Sequence, residues 1–489
     1  MLSMELLLMF VTTLLAGLYL HNKFKYRNFP KGPMGLPIIG YLPFLGPTPH
    51  RRYSELAKIY GNIFSLMFGQ LPVVVLNDLE TIKKAFRHEV FSGRPNKQVL
   101  AMGIVKGGMT FSDGQEWTEQ RRFTLKILKS LGFGKSSLEG SVKEECSRLL
   151  GYFKTKTDRP INCKQIFEIS VMNTLWLIIA GESHDYDDPK ALRWHQLAYE
   201  GLIEPAVAGP VWFMPWLARL APERTGFTKL LEAVQDLRNE FRILIEKRQA
   251  TRSKDIQNDF LDYYLTEIEA TDDDSSSFYK DVGVNNLIDL LINLFAAGSD
   301  TTTATLCWGF LYLLKYPAVY AKWKTELDKI VGRGNLPTLN DRPKMPYTEA
   351  VLHELLRITS VTSGGLLHCT TDNVRFEGYD FPKGTIILPN LYGCQHDEAT
   401  WGDPDVFRPE RWLNRDETEF VKDDRSIPFS VGKRICPAEH LSLLNLFIFF
   451  TSLIQTFDFE ATDAGLPTLE AKPGLVLHPQ PYEVLLRLR

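Results

Sequence analysis

The stretch Phe429-Ser430-Val431-Gly432-Lys433-Arg434-Ile435-Cys436-Pro437-Ala438-Glu439 ends a glycine-containing loop on one cysteine, just ahead of an apolar run from Leu441 to Thr456 that reads as a helix. Amides at a helix N-terminus, with Lys433 and Arg434 beside them, favour thiolate over thiol. A thiolate is a strong, soft ligand for a metal such as iron. The other five cysteines, Cys146, Cys163, Cys307, Cys369 and Cys394, are scattered and form no Cys-x-x-Cys pair. That spacing fits neither a zinc module nor a secreted disulfide framework. On local grounds Cys436 is either a metal ligand or a buried structural cysteine.

Upstream, Val284 to Tyr316 runs without proline until Pro317, which as a helix would be about 50 Å long. So apolar a helix must cross the interior, and Asp300-Thr301-Thr302-Thr303 is a polar interruption within it. Further helical patterning falls around 115–130, 137–155, 163–181, 190–204, 226–268 and 318–331. Strand signals bracket Gly69-Gln70-Leu71-Pro72 as a hairpin, followed by a helix start at Asn77 with Glu80, and recur at Val374–Phe376 and Thr385–Leu388. The expected class is mainly α with small β-sheets (α+β), with no fixed-period repeat.

The N-terminus carries an apolar run from Leu6 to Leu20. As a helix, residues 2–20 would reach about 28 Å, close to the hydrocarbon thickness of a bilayer. His21, Lys23, Lys25, Arg27 and Lys31 follow it and only Glu5 precedes it, which places the C-terminal side in the cytosol. A cleaved signal peptide would carry a basic n-region, which is missing here. Three prolines between Pro30 and Pro37 then favour a stiff, extended connector. We expect a transmembrane signal anchor over 1–21, a basic Pro/Gly-rich hinge over 22–40 and one catalytic domain over 41–489. The 56 basic and 59 acidic residues nearly cancel, to a net charge of −3, so nothing global recommends a nucleic-acid partner.

Phe429-x-x-Gly432-x-Arg434-x-Cys436 resembles the haem-ligand loop of the cytochrome P-450 superfamily. Four further segments resemble that family's pattern in order: Trp117-x-x-x-Arg121, Ala297-Gly298-Ser299-Asp300-Thr301-Thr302, Glu354-Leu355-Leu356-Arg357 and Pro409-Glu410-Arg411-Trp412. Met345-Pro346-Tyr347-Thr348-Glu349-Ala350 and Trp117-Thr118-Glu119-Gln120-Arg121-Arg122-Phe123 are most similar to the microsomal family-two clan. Ala438 departs from the usual glycine, adding a methyl near the porphyrin.

The resemblance implies haem b between the long central helix and the ligand loop, with Cys436 as axial thiolate. It implies Trp117, Arg121, His368 and Arg434 as donors to the haem propionates. Asp300 and Thr301 would deliver protons to dioxygen, with Thr301 bonding back to a carbonyl and Asp300 linking it to solvent. Glu354, Arg357 and Arg411 would form a buried structural charge network. A zinc-protease reading of His353-Glu354 fails because Arg357 stands where the second histidine is needed.

Gly132-x-Gly134-x-x-Ser137 and Gly332-x-Gly334-x-x-Pro337 both lack the third glycine of a nucleotide fingerprint. The resemblance therefore implies electrons from NADPH through a flavoprotein reductase, docked on a basic stripe of Arg122, Lys126 and Lys129, with cytochrome b5 as a further partner. The expected activity is insertion of one oxygen atom from O2 into a lipophilic small molecule (steroid, fatty acid, terpenoid or xenobiotic) by hydroxylation or epoxidation, at the endoplasmic reticulum membrane. Leu202, Ile203, Val207, Val211, Phe213, Leu294, Phe295, Leu366 and Val476 would line an apolar pocket. Two rivals are a haem-thiolate isomerase or dehydratase acting on a peroxide, and a non-catalytic haem carrier or sensor. The intact Asp300-Thr301 pair argues against both.

Overall fold

The computed structural model describes residues 26–133, 137–199, 209, 212–253 and 256–489, with Leu6, Met9, Phe10, Thr12, Thr13, Ala16 and Gly17. The expected anchor over 1–21 thus lies largely outside the described residues. The expected hairpin forms: Ile63–Phe68 pairs antiparallel with Leu71–Leu76, and Gly69 supplies the positive φ of the turn. Leu71–Leu76 then runs parallel to Ile386–Pro389, whose other edge takes His368–Cys369. This small sheet brings His368 to the interior from a segment remote in sequence.

Local rules account for most element boundaries, with two corrections. The helix after the hairpin, Leu79–Arg87, is capped by Asp78, whose carboxylate accepts from the Thr81 amide, and not by Asn77. The stretch read as helical over 226–268 is two helices, Phe227–Thr251 and Phe260–Ala270, because Asp259 caps the second through the Asp262 amide. Of the 190–204 stretch, Pro189–Ala198 is helical and residues 200–204 lie outside the described residues. Two pairings had no clear signal: Tyr379–Phe381 with Val374–Phe376, and Phe457–Ala461 with Val484–Leu488.

Lys280–Lys315 is the expected central helix, ending before Pro317. Among the described residues it is the helix long and apolar enough to cross a membrane, yet it is mostly buried inside the protein, as a core helix would be. It packs against Lys164–Ala180, Phe227–Thr251, Pro346–Thr359 and Glu439–Thr456. Two glycines permit close approach: a side chain at Gly309 would collide with Phe450, and one at Gly298 with Leu175. Gly298 therefore serves helix packing, and the room it leaves is filled by Leu175.

The Pro-rich segment expected to be a connector is fastened to the hairpin. Ser65 Oγ donates to the Pro30 carbonyl at 2.6 Å, the Ser65 amide donates to the Lys31 carbonyl at 3.4 Å, and Gly40 bridges to Phe68. Phe29 is buried against Phe381.

Candidate functional site

Two elements meet at Cys436, its own loop and the Gly114–Ser130 helix, and the central helix is tied to the helix that follows the cysteine. The loop turns at Gly432, with φ near +80°, and a Cβ there would strike the Phe86 backbone. The Cys436 amide closes the turn on the Phe429 carbonyl at 3.0 Å. Burial raises the Cys436 thiol above its ordinary pKa, partly offset by the Ala438 and Glu439 amides and by Arg121. Lys433 and Arg434 do not supply that offset. Lys433 pairs with Glu89 at 3.3 Å, and Arg434 turns away from the sulfur. Ala438 sits at φ −98°, a conformation any L-residue adopts, so its extra methyl brings no backbone strain.

Arg434 is buried, donating to the carbonyls of Ser92 at 2.8 Å, Met109 at 3.2 Å and Ser112 at 2.8 Å. Its guanidinium carbon lies 4.0 Å from the Trp117 ring centroid. Arg121 donates to the Ile435 carbonyl at 2.7 Å, bridging its helix to the cysteine loop. His368 is buried, with Nδ1 2.8 Å from the Phe91 carbonyl and its ring stacked on Phe86. Burial and the Arg94 charge push its pKa well below the ordinary value, so it is neutral.

Arg94 was missed by sequence reasoning. It is buried, donating to the carbonyls of Thr110 at 3.0 Å and Leu367 at 2.7 Å. A lone arginine has no periodic partner to betray it, and only the fold shows that it shares a wall with Arg434. Burial, reinforced by repulsion from Arg94, lowers Arg434 to about 8, and burial with repulsion from Arg121 lowers Arg94 to about 10. Neither hydrogen-bonds a carboxylate; the nearest, Asp113, is 4.0 Å from Arg434. Two buried guanidinium charges facing a single carboxylate at that distance are costly, and the Trp117 indole N–H is buried with no acceptor. Cations, an orphaned donor and a neutral imidazole beside a cysteine loop fit a dianionic macrocycle such as haem, whose propionates would meet those donors.

Above the loop, Thr302 Oγ1 and Ser442 Oγ lie 3.1 Å apart, tying the central helix to the start of the Glu439–Thr456 helix. Thr301 is half-exposed and Ala297 exposed, although most of their helix is buried, so this face borders open space. Thr301 Oγ1 donates back to the Ala297 carbonyl at 2.9 Å, as expected. Asp300 behaves differently: it has no solvent exposure, and its Oδ2 meets His478 Nε2 at 3.0 Å. The expected direct link from Asp300 to solvent is therefore absent, and its neighbours are His478, Glu168 and His195.

Away from the cysteine, Glu354 accepts two bonds from Arg357 at 2.8 Å each, one from Arg411 Nε at 3.0 Å and one from Trp412 Nε1 at 2.9 Å. This is the structural charge network expected of the three residues. Of the expected pocket residues, Leu202, Ile203, Val207 and Val211 lie outside the described residues. Phe295 is corrected: it packs among Trp176, Trp194 and Phe241 in the core. Val476 packs with Ala304, and Leu294 is buried, while Phe213 and Leu366 are partly exposed.

The family model for cytochrome P-450 matches residues 30–486. Cytochrome P-450 2L1 of Panulirus argus is 32% identical over 482 residues, covering 96% of this chain and 97% of that protein. Cytochrome P-450 2B12 of Rattus norvegicus is 33% identical over 466 residues, covering 94% of each. Cytochrome P-450 18a1 of Drosophila melanogaster is 31% identical over 492 residues, covering 99% of this chain and 91% of that protein.

Proposed function

Because this chain belongs to the cytochrome P-450 family and is thus a haem-thiolate monooxygenase, we propose that it oxygenates a lipophilic small molecule at the endoplasmic reticulum membrane, with Cys436 as the iron ligand. The observation that carries the site assignment is the buried wall of Arg94 and Arg434, neither hydrogen-bonded to a carboxylate, with the orphaned Trp117 N–H. Arg94, Arg121, Arg434, Trp117 and His368 would hold the propionates. When bound, the haem supplies a thiolate-ligated iron whose electron-rich sulfur favours O–O cleavage.

The chain's own residues do the rest. Thr301 offers its hydroxyl from the helix face that borders open space, and a proton reaching it past the adjoining Asp300 would come by way of His478, to which Asp300 is turned. The described pocket residues Leu366 and Phe213 present apolar surface, which suits a steroid, fatty acid, terpenoid or xenobiotic and excludes bulk water. Arg122, Lys126 and Lys129 are exposed on the helix that Arg121 ties to the cysteine loop. They form the proposed docking face for an NADPH-dependent flavoprotein reductase and for cytochrome b5.

Membrane attachment is read from the apolar run over residues 6–20 and the basic residues behind it, with the hinge confined to residues 22–29 because 30–40 are fastened to the hairpin, and 41–489 as cytosol-facing catalytic domain. Support comes from an exposed apolar patch of Met34, Leu36, Ile38 and Phe44, with Trp216 and Leu220 nearby in the fold, since Met214 and Phe213 pack on the same hairpin. The test is purified protein with reductase and NADPH, screened against a lipophilic library for oxygenated products. A reduced, carbon-monoxide-bound spectrum typical of thiolate ligation, lost in Cys436→Ser, is expected. Retention of spectrum and turnover in that variant would refute the ligand assignment.

A further inference from the structure

A second polar cluster lies buried behind the central helix. Glu168 comes from the Lys164–Ala180 helix, His195 from the Pro189–Ala198 helix and Asp300 from the central helix. One carboxylate oxygen each of Glu168 and Asp300 and one ring nitrogen of His195 all lie within 4.8 Å of one another. The three residues are 6%, 8% and 0% exposed, so no solvent compensates them.

The cluster is incompletely satisfied. Asp300 Oδ1 and Glu168 Oε1 have no hydrogen-bond partner. Glu168 Oε2 is 3.3 Å from His195 Nδ1. Lys164 Nζ stands 3.1 Å from Glu168 Oε1 without being aligned for a hydrogen bond, and 4.2 Å from the Tyr199 ring centroid at the partly exposed edge of the cluster. His478 holds the other oxygen of Asp300 at 3.0 Å, as an outer partner holds a ligating carboxylate. The two buried carboxylates thus have one ammonium, paired with Glu168, and the imidazoles of His195 and His478 beside them.

We propose that Glu168, His195 and Asp300 form a second metal site, for a divalent cation of the zinc type, which enters by displacing the Lys164 ammonium. Two carboxylates and a neutral imidazole around Zn2+ sum to zero charge. An oxygen/nitrogen donor set suits zinc at about 2.0–2.2 Å per bond. Ligands of a tetrahedral ion at that length stand about 3.4 Å apart, so the donors need close by only about 1 Å or so. Lys164 can leave Glu168 without being stranded, because its side chain is about a third exposed and already lies over the Tyr199 ring, which it shares with Lys472.

The test uses untagged, haem-loaded, chelator-treated protein. Zn2+ is titrated against a fluorescent zinc chelator, and the zinc-to-iron ratio is measured by mass spectrometry after gel filtration. One zinc per haem iron is expected. His195→Gln should weaken zinc by at least about tenfold with an unchanged haem spectrum. Lys164→Met, which removes the competing ammonium, should tighten it by a similar factor. Failure of the wild-type protein to take up zinc, or equal zinc affinity in wild type and His195→Gln, overturns the proposal. Weaker binding in Lys164→Met overturns the displacement.

Discussion

The guanidinium carbon of Arg434 sits 4.0 Å from the centre of the Trp117 ring, so the ring that covers one buried cation also carries a buried N–H with no acceptor. These two functions can be separated. Trp117→Phe keeps an aromatic face over Arg434 and deletes only the donor. A hydrogen bond to a charged acceptor contributes about 1.5–3 kcal/mol, so haem should leave this variant roughly ten- to a hundredfold faster, read as transfer to apomyoglobin. Unchanged release would mean that the indole N–H does not meet a propionate.

Arg94 should matter as much as the arginines that the motifs reveal. Arg94→Gln removes a buried cation from the wall it shares with Arg434. Iron content per purified protein is expected to fall severalfold. Arg94→Lys should recover part of it, since it restores charge without the planar fork. Full haem occupancy in Arg94→Gln would remove the residue from the site.

Glu354 is bonded by two arginine side chains, an indole and the Arg408 amide. Glu354→Gln strands those guanidinium charges in the interior, at a cost of about 3–5 kcal/mol. The exposed pair Lys84–Glu377 gives the contrast, and Glu377→Gln should cost under about 1 kcal/mol. Denaturant midpoints of the two variants test this directly.

Burial and the nearby Arg357 charge lower His396 to about 3. The folded protein therefore holds it neutral, while the unfolded chain protonates it near the ordinary 6.5. Stability from this group is complete above about pH 6.5 and is lost as pH falls toward 3, by up to about 1.4 kcal/mol per pH unit. Any stability advantage of the wild type over His396→Gln should shrink between pH 7 and pH 5, measured by urea unfolding at each pH. A constant gap would show that the ring is not held neutral.

What the sequence disclosed was local. Pro317, the run from Val284 and the loop ending on Cys436 placed the central helix and the ligand loop, because backbone punctuation acts over a few residues. Trp117 and Arg121 were singled out by the resemblance of Trp117-x-x-x-Arg121 to a haem-contacting helix, and both stand on the Gly114–Ser130 helix. Arg94 and His478 stayed hidden, since each acquires meaning only from residues far along the chain: Arg94 from the Leu367 carbonyl, His478 from Asp300. Phe295 misled for the complementary reason. An apolar residue one turn before the Gly298–Thr301 motif can face a pocket or a core, and here it joins Trp176 and Trp194.

The grip of Ser65 on Pro30 and Lys31 shortens the leash. If residues 1–21 are the anchor proposed above, at most the residues up to Phe29 separate it from this grip, roughly 30 Å of fully extended chain. An enzyme moored so closely would roll on its apolar patch without drifting into the bulk. Its encounters with a co-moored electron donor would become a search over a plane, and greasy cargo dissolved in the same leaflet would lie a short glide away.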